Sequence, residues 1–349
     1  MSKPFPYKTL NRQQLISKIN GTAASKTPFL FVIDYKAESG YVIKAEELDE
    51  EFVRFEIQEP RTKSQESRTK SQEPGSKNQE SGSKKQIEKI QWKLLPLSVN
   101  EYQSKFENVQ AQIHQGNSFL TNLTQPTEIN TDLTLFDLFQ LGSAKYKLWI
   151  KDRFTMLSPE TFIQINNRMI SSFPMKGTID ASIPNAENQI LNDSKEKAEH
   201  ATIVDLIRND LSIVAQQVEV TRYRYVEKIK TNKQELLQVS SRISGYLPEN
   251  YNEHLGDIIF SLLPAGSISG APKAKTLEII DRAEGYERGF YTGICGWFDG
   301  STLDSAVMIR FLEQQGDKLI FKSGGGITAQ SDLQKEYEEL IQKAYVPVY

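Results

Sequence analysis

The sequence is short of cysteine, of histidine, of long apolar runs and of net charge. One cysteine, Cys295, in 349 residues excludes a disulfide framework, and a reducing cytosol suits such a chain best. Three histidines, His114, His200 and His254, are scattered, which argues against a histidine-rich metal site. No apolar run reaches the roughly 18 residues of a membrane helix. The polar opening, Met1 to Leu10, lacks the apolar heart of a signal peptide. A cytoplasmic protein without a membrane segment is therefore expected. Lysine and arginine number 42 against 45 aspartates and glutamates, and a formal charge of −3 provides no basic field for nucleic acid.

What is present is 38% hydrophobic residues, enough to bury a sizeable core. Residues 28–43 read as a strand pair around a turn at Glu38-Ser39-Gly40. Four seven-residue units follow: RTKSQES (61–67), RTKSQEP (68–74), GSKNQES (75–81) and GSKKQIE (82–88). No apolar residue recurs in them, so they are no coiled-coil heptads. A segment that buries nothing is expected to stay disordered, which places a low-complexity insertion at about 61–86. The chain thus divides into an N-terminal region, 1–95, and a larger domain, 96–349.

Helical spacing of Tyr102, Phe106, Val109 and Ile113 predicts a helix over 99–116. Further helices are expected at 133–141, 195–213 (apolar Ala198, Ile203, Leu206 and Ile207 to one side), 252–263, 272–283 with Pro272 first, and 332–344. Residues 147–163 read as a hairpin with SPE near its turn, and 238–247, 289–298, 302–312 and 319–323 read as strands. Strands and helices mix without strict alternation, so an α+β fold is expected.

Several groups suggest chemistry. GSISGAPK (266–273) opens a helix, where glycines and free N–H groups favour an anion. Ala271 and Pro272 stand where a Walker A loop needs lysine and a hydroxyl. Gly324, Gly325 and Gly326 suit either a flexible loop or a close backbone approach to a carboxylate. Arg310 lies in the apolar stretch SAVMIRFL, where a charge is usually paired or holds an anion. Glu336 and Glu339 share a helix face, and with Glu199 they make hard oxygen ligands suited to Mg²⁺, or simply a solvated surface. Lys176, in FPMKGT, has the apolar neighbours of a lysine nucleophile, although by itself a lysine near a turn is more often just exposed.

Taken together, SPETF (158–162), PMKGT (174–178), KEKAEHATIVDLIRNDL (195–211), LPAGSISGAPKAKTLEIID (263–281), RGFYTGICGWF (288–298), MIR (308–310) and GGGITAQSDLQKEYEELIQKA (324–344) resemble the chorismate-binding enzymes, over about the last 200 residues. The family's architecture is two layered β-sheets flanked by helices. Lysine in PMKGT is the feature of its aminodeoxychorismate synthases, where anthranilate synthases carry alanine. The resemblance thus implies amination of chorismate at C4 by ammonia, with Lys176 attacking C2, Glu160 protonating the departing hydroxyl and Mg²⁺ on the ring carboxylate. It implies Mg²⁺ ligation by Glu199 and Glu339, with Glu336 alongside. Substrate binding would fall to Arg310, Tyr291, Ser267, Lys343 and the backbone of 324–326. Many relatives carry histidine where this chain has Gln238, which cannot transfer a proton near neutrality. The competing expectations are an anthranilate or isochorismate synthase, or an inactive homologue that binds a partner. Cys295, in an apolar strand, reads as a buried small residue. The ammonia is therefore expected from a separate glutamine amidotransferase subunit.

Overall fold

The computed structural model describes residues 3–58, 91–230 and 235–344. The repeat at 61–86 lies outside the described residues. Among the described residues, two sheets of ten and eight strands carry the fold, with helices against them. In the larger sheet the order runs Leu10–Asn11, Ser39–Lys44, Phe29–Ile33, Ile294–Phe298, Leu303–Val307, Thr161–Asn166, Met169–Ser172, Glu235–Tyr246, Met175–Asp180, and Gln216–Lys230 also pairs with Glu235–Tyr246. In the smaller it runs Gly270–Ala271, Leu120–Thr131, Lys318–Ile327, Phe311–Gln315, Phe154–Ser158, Tyr146–Ile150, Val53–Ile57, and Trp92–Leu95 pairs with Leu120–Thr131. The first 58 residues thus give strands to both sheets.

The sheets meet over a shared core in which Val32, Tyr41 and Ala306 of one face Leu148, Met156 and Phe311 of the other. The larger sheet's other face is covered by the helices Arg12–Ala24, Ser194–Val214 and Leu255–Ser261. Being covered on both sides, the strand Phe29–Ile33 is buried at all five positions, which is why it reads as an unbroken apolar run. Each such side chain stabilises by roughly 1.5–3 kcal/mol. The helix Val99–His114 buries Tyr102, Phe106, Val109 and Ile113, as the spacing predicts, and Ser98 and Glu101 close its N-terminus in a capping box.

Several expectations need correction. The hairpin turns at Lys151-Asp152-Arg153, between Tyr146–Ile150 and Phe154–Ser158, whereas Ser158-Pro159-Glu160 carries the chain from the smaller sheet into the larger. The stretch 302–312 breaks in two: Leu303–Val307 belongs to the larger sheet and Phe311–Gln315 to the smaller. Arg310 therefore sits in the bend, at φ 50°, and not inside a strand. The strand expected over 289–298 begins only at Ile294, and Pro272 caps its helix instead of starting it. Of the four apolar residues expected on one side of Ser194–Val214, Ala198 is exposed, and His200 takes a place in the buried face.

Candidate active site

Two crossings between the sheets lie side by side. Val307 N–H donates to the Glu160 carbonyl at 3.1 Å, and Leu157 N–H donates to the Arg310 carbonyl at 3.2 Å. Glu160 and Arg310 are thereby fixed at one seam. The glycine triplet, far from forming a loose loop, ends the strand Lys318–Ile327 in register with Asn122 to Thr124. At Gly325 the missing side chain leaves room. A Cβ on Gly325 would stand 3.4 Å from Glu336 Oε2 and 3.9 Å from both Glu339 Oε1 and Lys343 Nζ. One on Gly326 would stand 3.6 Å from Lys176 Nζ. The triplet is a cradle floor between two sets of charges.

On one side of that floor is the helix Leu333–Lys343. Lys343 Nζ bridges Glu339 Oε1 at 2.6 Å and the Gly324 carbonyl at 3.2 Å, and Ser331 donates to Glu336 at 2.7 Å. On the other side is Lys176, on Met175–Asp180, where a register shift at Gly177 (φ 78°) interrupts the pairing with Glu235–Tyr246. Its ammonium lies 3.4 Å from Glu199 Oε2, and both side chains are half-buried at 27% and 15% exposure. The setting of Lys176 is therefore ionic, not apolar. Ser267, in the short helix Gly266–Ser269, donates to Glu160 Oε1 at 2.5 Å. Burial pushes the Glu160 carboxyl above its ordinary range, while the Ser267 bond and the charges of Lys176 and Lys343 pull against that. Tyr291 is buried with its ring 6.0 Å from Phe311, and burial pushes its hydroxyl up. Lys176, Glu199, Glu160, Ser267, Lys343, Glu336, Glu339 and the triplet thus converge. Arg310 stands at their seam through its backbone, and Tyr291 borders them from the inter-sheet core.

Three features escaped the sequence reading. Arg288, buried, gives all five donors: two to Glu284, at 2.8 and 2.6 Å, and one each to the carbonyls of Ile268 and Asn122 and the hydroxyl of Thr292. It ties the loop of Ser267 to the turn of Tyr291. The Glu284/Arg288 spacing of four near the end of an apolar-faced helix was the available signal. His200 is buried beside Glu199, with Nε2 2.7 Å from the Ser241 hydroxyl. Burial lowers its pKa to about 4, so it is neutral at pH 7. Asp210 and Lys273 pair at 2.7 Å below Gly266, a contact that sequence distance concealed.

Could these residues take a divalent cation? No group of three or more His, Cys, Asp or Glu positioned to hold a metal stands among the described residues. Mg²⁺, however, relies on one or two carboxylates, water and ligand oxygens rather than a complete protein cage. Glu336 and Glu339 both point oxygens at the space over Gly325, and Glu199 stands on the Lys176 side of the same floor. The donors are all oxygen and the cradle is open, so the set fits.

The model of the chorismate binding enzyme family matches residues 5–348. An uncharacterized PabA-like protein of Haemophilus influenzae is 46% identical over 336 residues, which cover 96% of this chain and 97% of that one. Aminodeoxychorismate synthase component 1 of Salmonella typhimurium is 33% identical over 259 residues, covering 70% of this chain but only 56% of its own length. Among solved structures, the menaquinone-specific isochorismate synthase MenF of Escherichia coli superposes with a TM-score of 0.68 at 13% identity, over 97% of this chain and 82% of that one.

Proposed function

The chain belongs to the chorismate binding enzyme family and acts on chorismate, and from that premise we propose that it replaces the C4 hydroxyl of chorismate with an amino group, giving 4-amino-4-deoxychorismate for p-aminobenzoate and folate synthesis. The observation that carries this reading is the place of Lys176: an amine beside the glycine floor, 3.4 Å from Glu199 and within the electrostatic reach of Glu160. In this reading a chorismate carboxylate lies on Gly324 to Gly326, with the ring between that amine and the Glu160–Ser267 pair.

The proposed chemistry uses these positions. Lys176, once its ammonium has released a proton to solvent, attacks C2, the ring double bonds shift, and the C4 oxygen leaves with the proton of Glu160, as water. Ammonia then bonds to C4, the double bonds shift back, and Lys176 departs with its electron pair. The surplus proton of the new amine returns to the Glu160 carboxylate. Chorismate and ammonia give aminodeoxychorismate and water, with the enolpyruvyl ether intact. Mg²⁺, held by Glu199 and Glu339 with Glu336, would supply Lewis-acid polarisation of the ring carboxylate. Arg310 and Lys343 supply cationic donors for carboxylates, and Tyr291 closes the inner wall. Gln238 cannot shuttle a proton near neutrality, which speaks against pyruvate elimination.

The nitrogen is proposed to come from a glutamine amidotransferase subunit. Cys295 is fully buried and burial pushes its thiol up, so it cannot serve as a glutaminase nucleophile. The deciding experiment incubates the purified chain with chorismate, Mg²⁺ and ammonium and identifies the product by mass. Aminodeoxychorismate is expected; anthranilate, isochorismate or no turnover would overturn the reading, as would glutamine-dependent turnover by the single chain for the partner.

A further inference from the structure

Glu199 reaches Lys176 from a helix across to a sheet, so their 3.4 Å separation depends on how the two elements are held. The helix Ser194–Val214 lies on the larger sheet through Ile203, Val204, Ile207 and Leu211, all buried in the core. Apolar contact of that kind holds two elements together but has no direction, whereas a hydrogen bond fixes a point of attachment. His200, the residue after Glu199, makes such a bond. Its Nε2 lies 2.7 Å from the Ser241 hydroxyl, and both residues are buried. Ser241 is itself locked to the strand of Lys176: its N–H donates to the Pro174 carbonyl at 3.0 Å, and Val239, two places away, is the register partner of Lys176. The Ser241 hydroxyl also accepts the Arg224 N–H at 2.9 Å, which a bulge in Gln216–Lys230, with Arg224 at φ 47°, aims at it. The hydroxyl proton has no other acceptor among the described residues, so it goes to Nε2, and His200 is the accepting partner.

We propose that His200 and Ser241 are positioning residues: their hydrogen bond ties the helix of Glu199 to the strands around Lys176 and sets the spacing of that pair for the reaction. The inference rests on the amination reading above, in which Lys176 attacks the ring. Three observations support it. First, the bond is buried, so an anionic substrate on the glycine floor leaves it in place, while the same substrate can draw on the partly exposed charges of Lys176 and Glu199. Second, the attachment points are close to the reacting pair along the chain, one residue from Glu199 and two from the register partner of Lys176, so a shift at the bond is a shift at the pair. Third, Arg224 holds a left-handed conformation that side-chain-bearing residues rarely adopt, and it is this conformation that gives Ser241 its second partner. The Arg224 guanidinium donates to the Leu191 carbonyl at 2.8 Å, which brings the helix Ala186–Asn192 to the same anchor.

The test separates the bond from the packing around it. His200→Leu fills the space but cannot accept, and Ser241→Ala removes the donor; His200→Gln keeps an acceptor, its Oε1, near the position of Nε2. Loss of the bond should lower kcat for amination by about tenfold or more, because a displaced reacting group is costly in rate. The KM for chorismate should hold, since Lys343 and the glycine floor are untouched. Because His200→Leu and Ser241→Ala break one contact, the double variant should be no slower than the slower single. His200→Gln should bring kcat back to within about threefold of the wild type. Melting curves establish which variants are folded, and Ser241→Ala, which loses a single oxygen, keeps the test open if His200→Leu does not fold. Unchanged kcat in a folded variant that lacks the bond, multiplied losses in the double variant, or a folded His200→Gln as slow as His200→Leu would overturn the positioning role and leave the amination reading standing. Absence of any aminated product from the wild type would overturn both.

Discussion

Replacing Arg288 by methionine tests what holds the site together. The side chain is 2% exposed and its five donors reach four separate segments. Without it, the carbonyls of Ile268 and Asn122 lose their donor. Glu284, itself 1% exposed, keeps only the Thr124 N–H at 2.8 Å and the Thr124 hydroxyl at 2.7 Å. A buried carboxylate left without its cation costs about 3–5 kcal/mol, a large part of the 5–15 kcal/mol by which domains of ordinary stability are folded. Because the loss is mostly that of an unpaired charge, adding Glu284→Gln to Arg288→Met should recover about 2 kcal/mol instead of adding damage. Urea unfolding of the wild type, both single variants and the double variant measures this as a coupling energy. The Ile268 carbonyl is next to Ser267, so the single variant should also loosen the Ser267–Glu160 contact and lower kcat. A loss below about 1 kcal/mol for Arg288→Met, or strictly additive single losses, would refute the reasoning.

Other expectations follow from the same geometry. Gly325→Ala adds a methyl with no contact closer than 3.4 Å and should fold normally, yet lose activity by filling the cradle; Gly324→Ala would place Cβ 2.5 Å from the Leu123 carbonyl and should lower the melting temperature. Ser267→Ala removes the bond that favours the Glu160 carboxylate, so the alkaline limb of the rate profile, where the acid is lost, should move to higher pH. His200 has a folded pKa depressed from 6.5 to about 4, so its contribution is present above pH 6.5 and lost as the pH falls through that window. His200→Gln should therefore flatten the acid side of the stability profile by up to about 3 kcal/mol, as followed by melting at successive pH values. Lys176→Ala should keep chorismate binding and lose most amination, and Lys176→Arg should fail too because guanidinium stays protonated; near-normal product from Lys176→Ala would exclude the covalent step.

Much of the site was legible because its residues sit in long, locally ordered motifs. Helical spacing gave Val99–His114 and put Glu336 and Glu339 on one face, and the motif order through SPETF, PMKGT and GGGITAQ named the groups that converge. Local pattern misjudged the places where the chain changes sheets. SAVMIRFL reads as one apolar strand because both its halves are buried, and only the pairing of Leu303–Val307 with one sheet and Phe311–Gln315 with the other shows the bend at Arg310. The glycine triplet gave the same trouble: its lack of side chains suggests a loop, yet the neighbouring strand Leu120–Thr131 supplies the hydrogen bonds that hold it straight.

The sequence by itself determined the fold class, the family and the cast of charged residues, because periodicity and motif identity are properties of neighbours along the chain. Which charges face one another was decided only by tertiary structure. Lys176 and Glu199, Glu160 and Ser267, Asp210 and Lys273, and Arg288 with the Ile268 and Asn122 carbonyls are pairs brought together across the sheet seam and the covering helices.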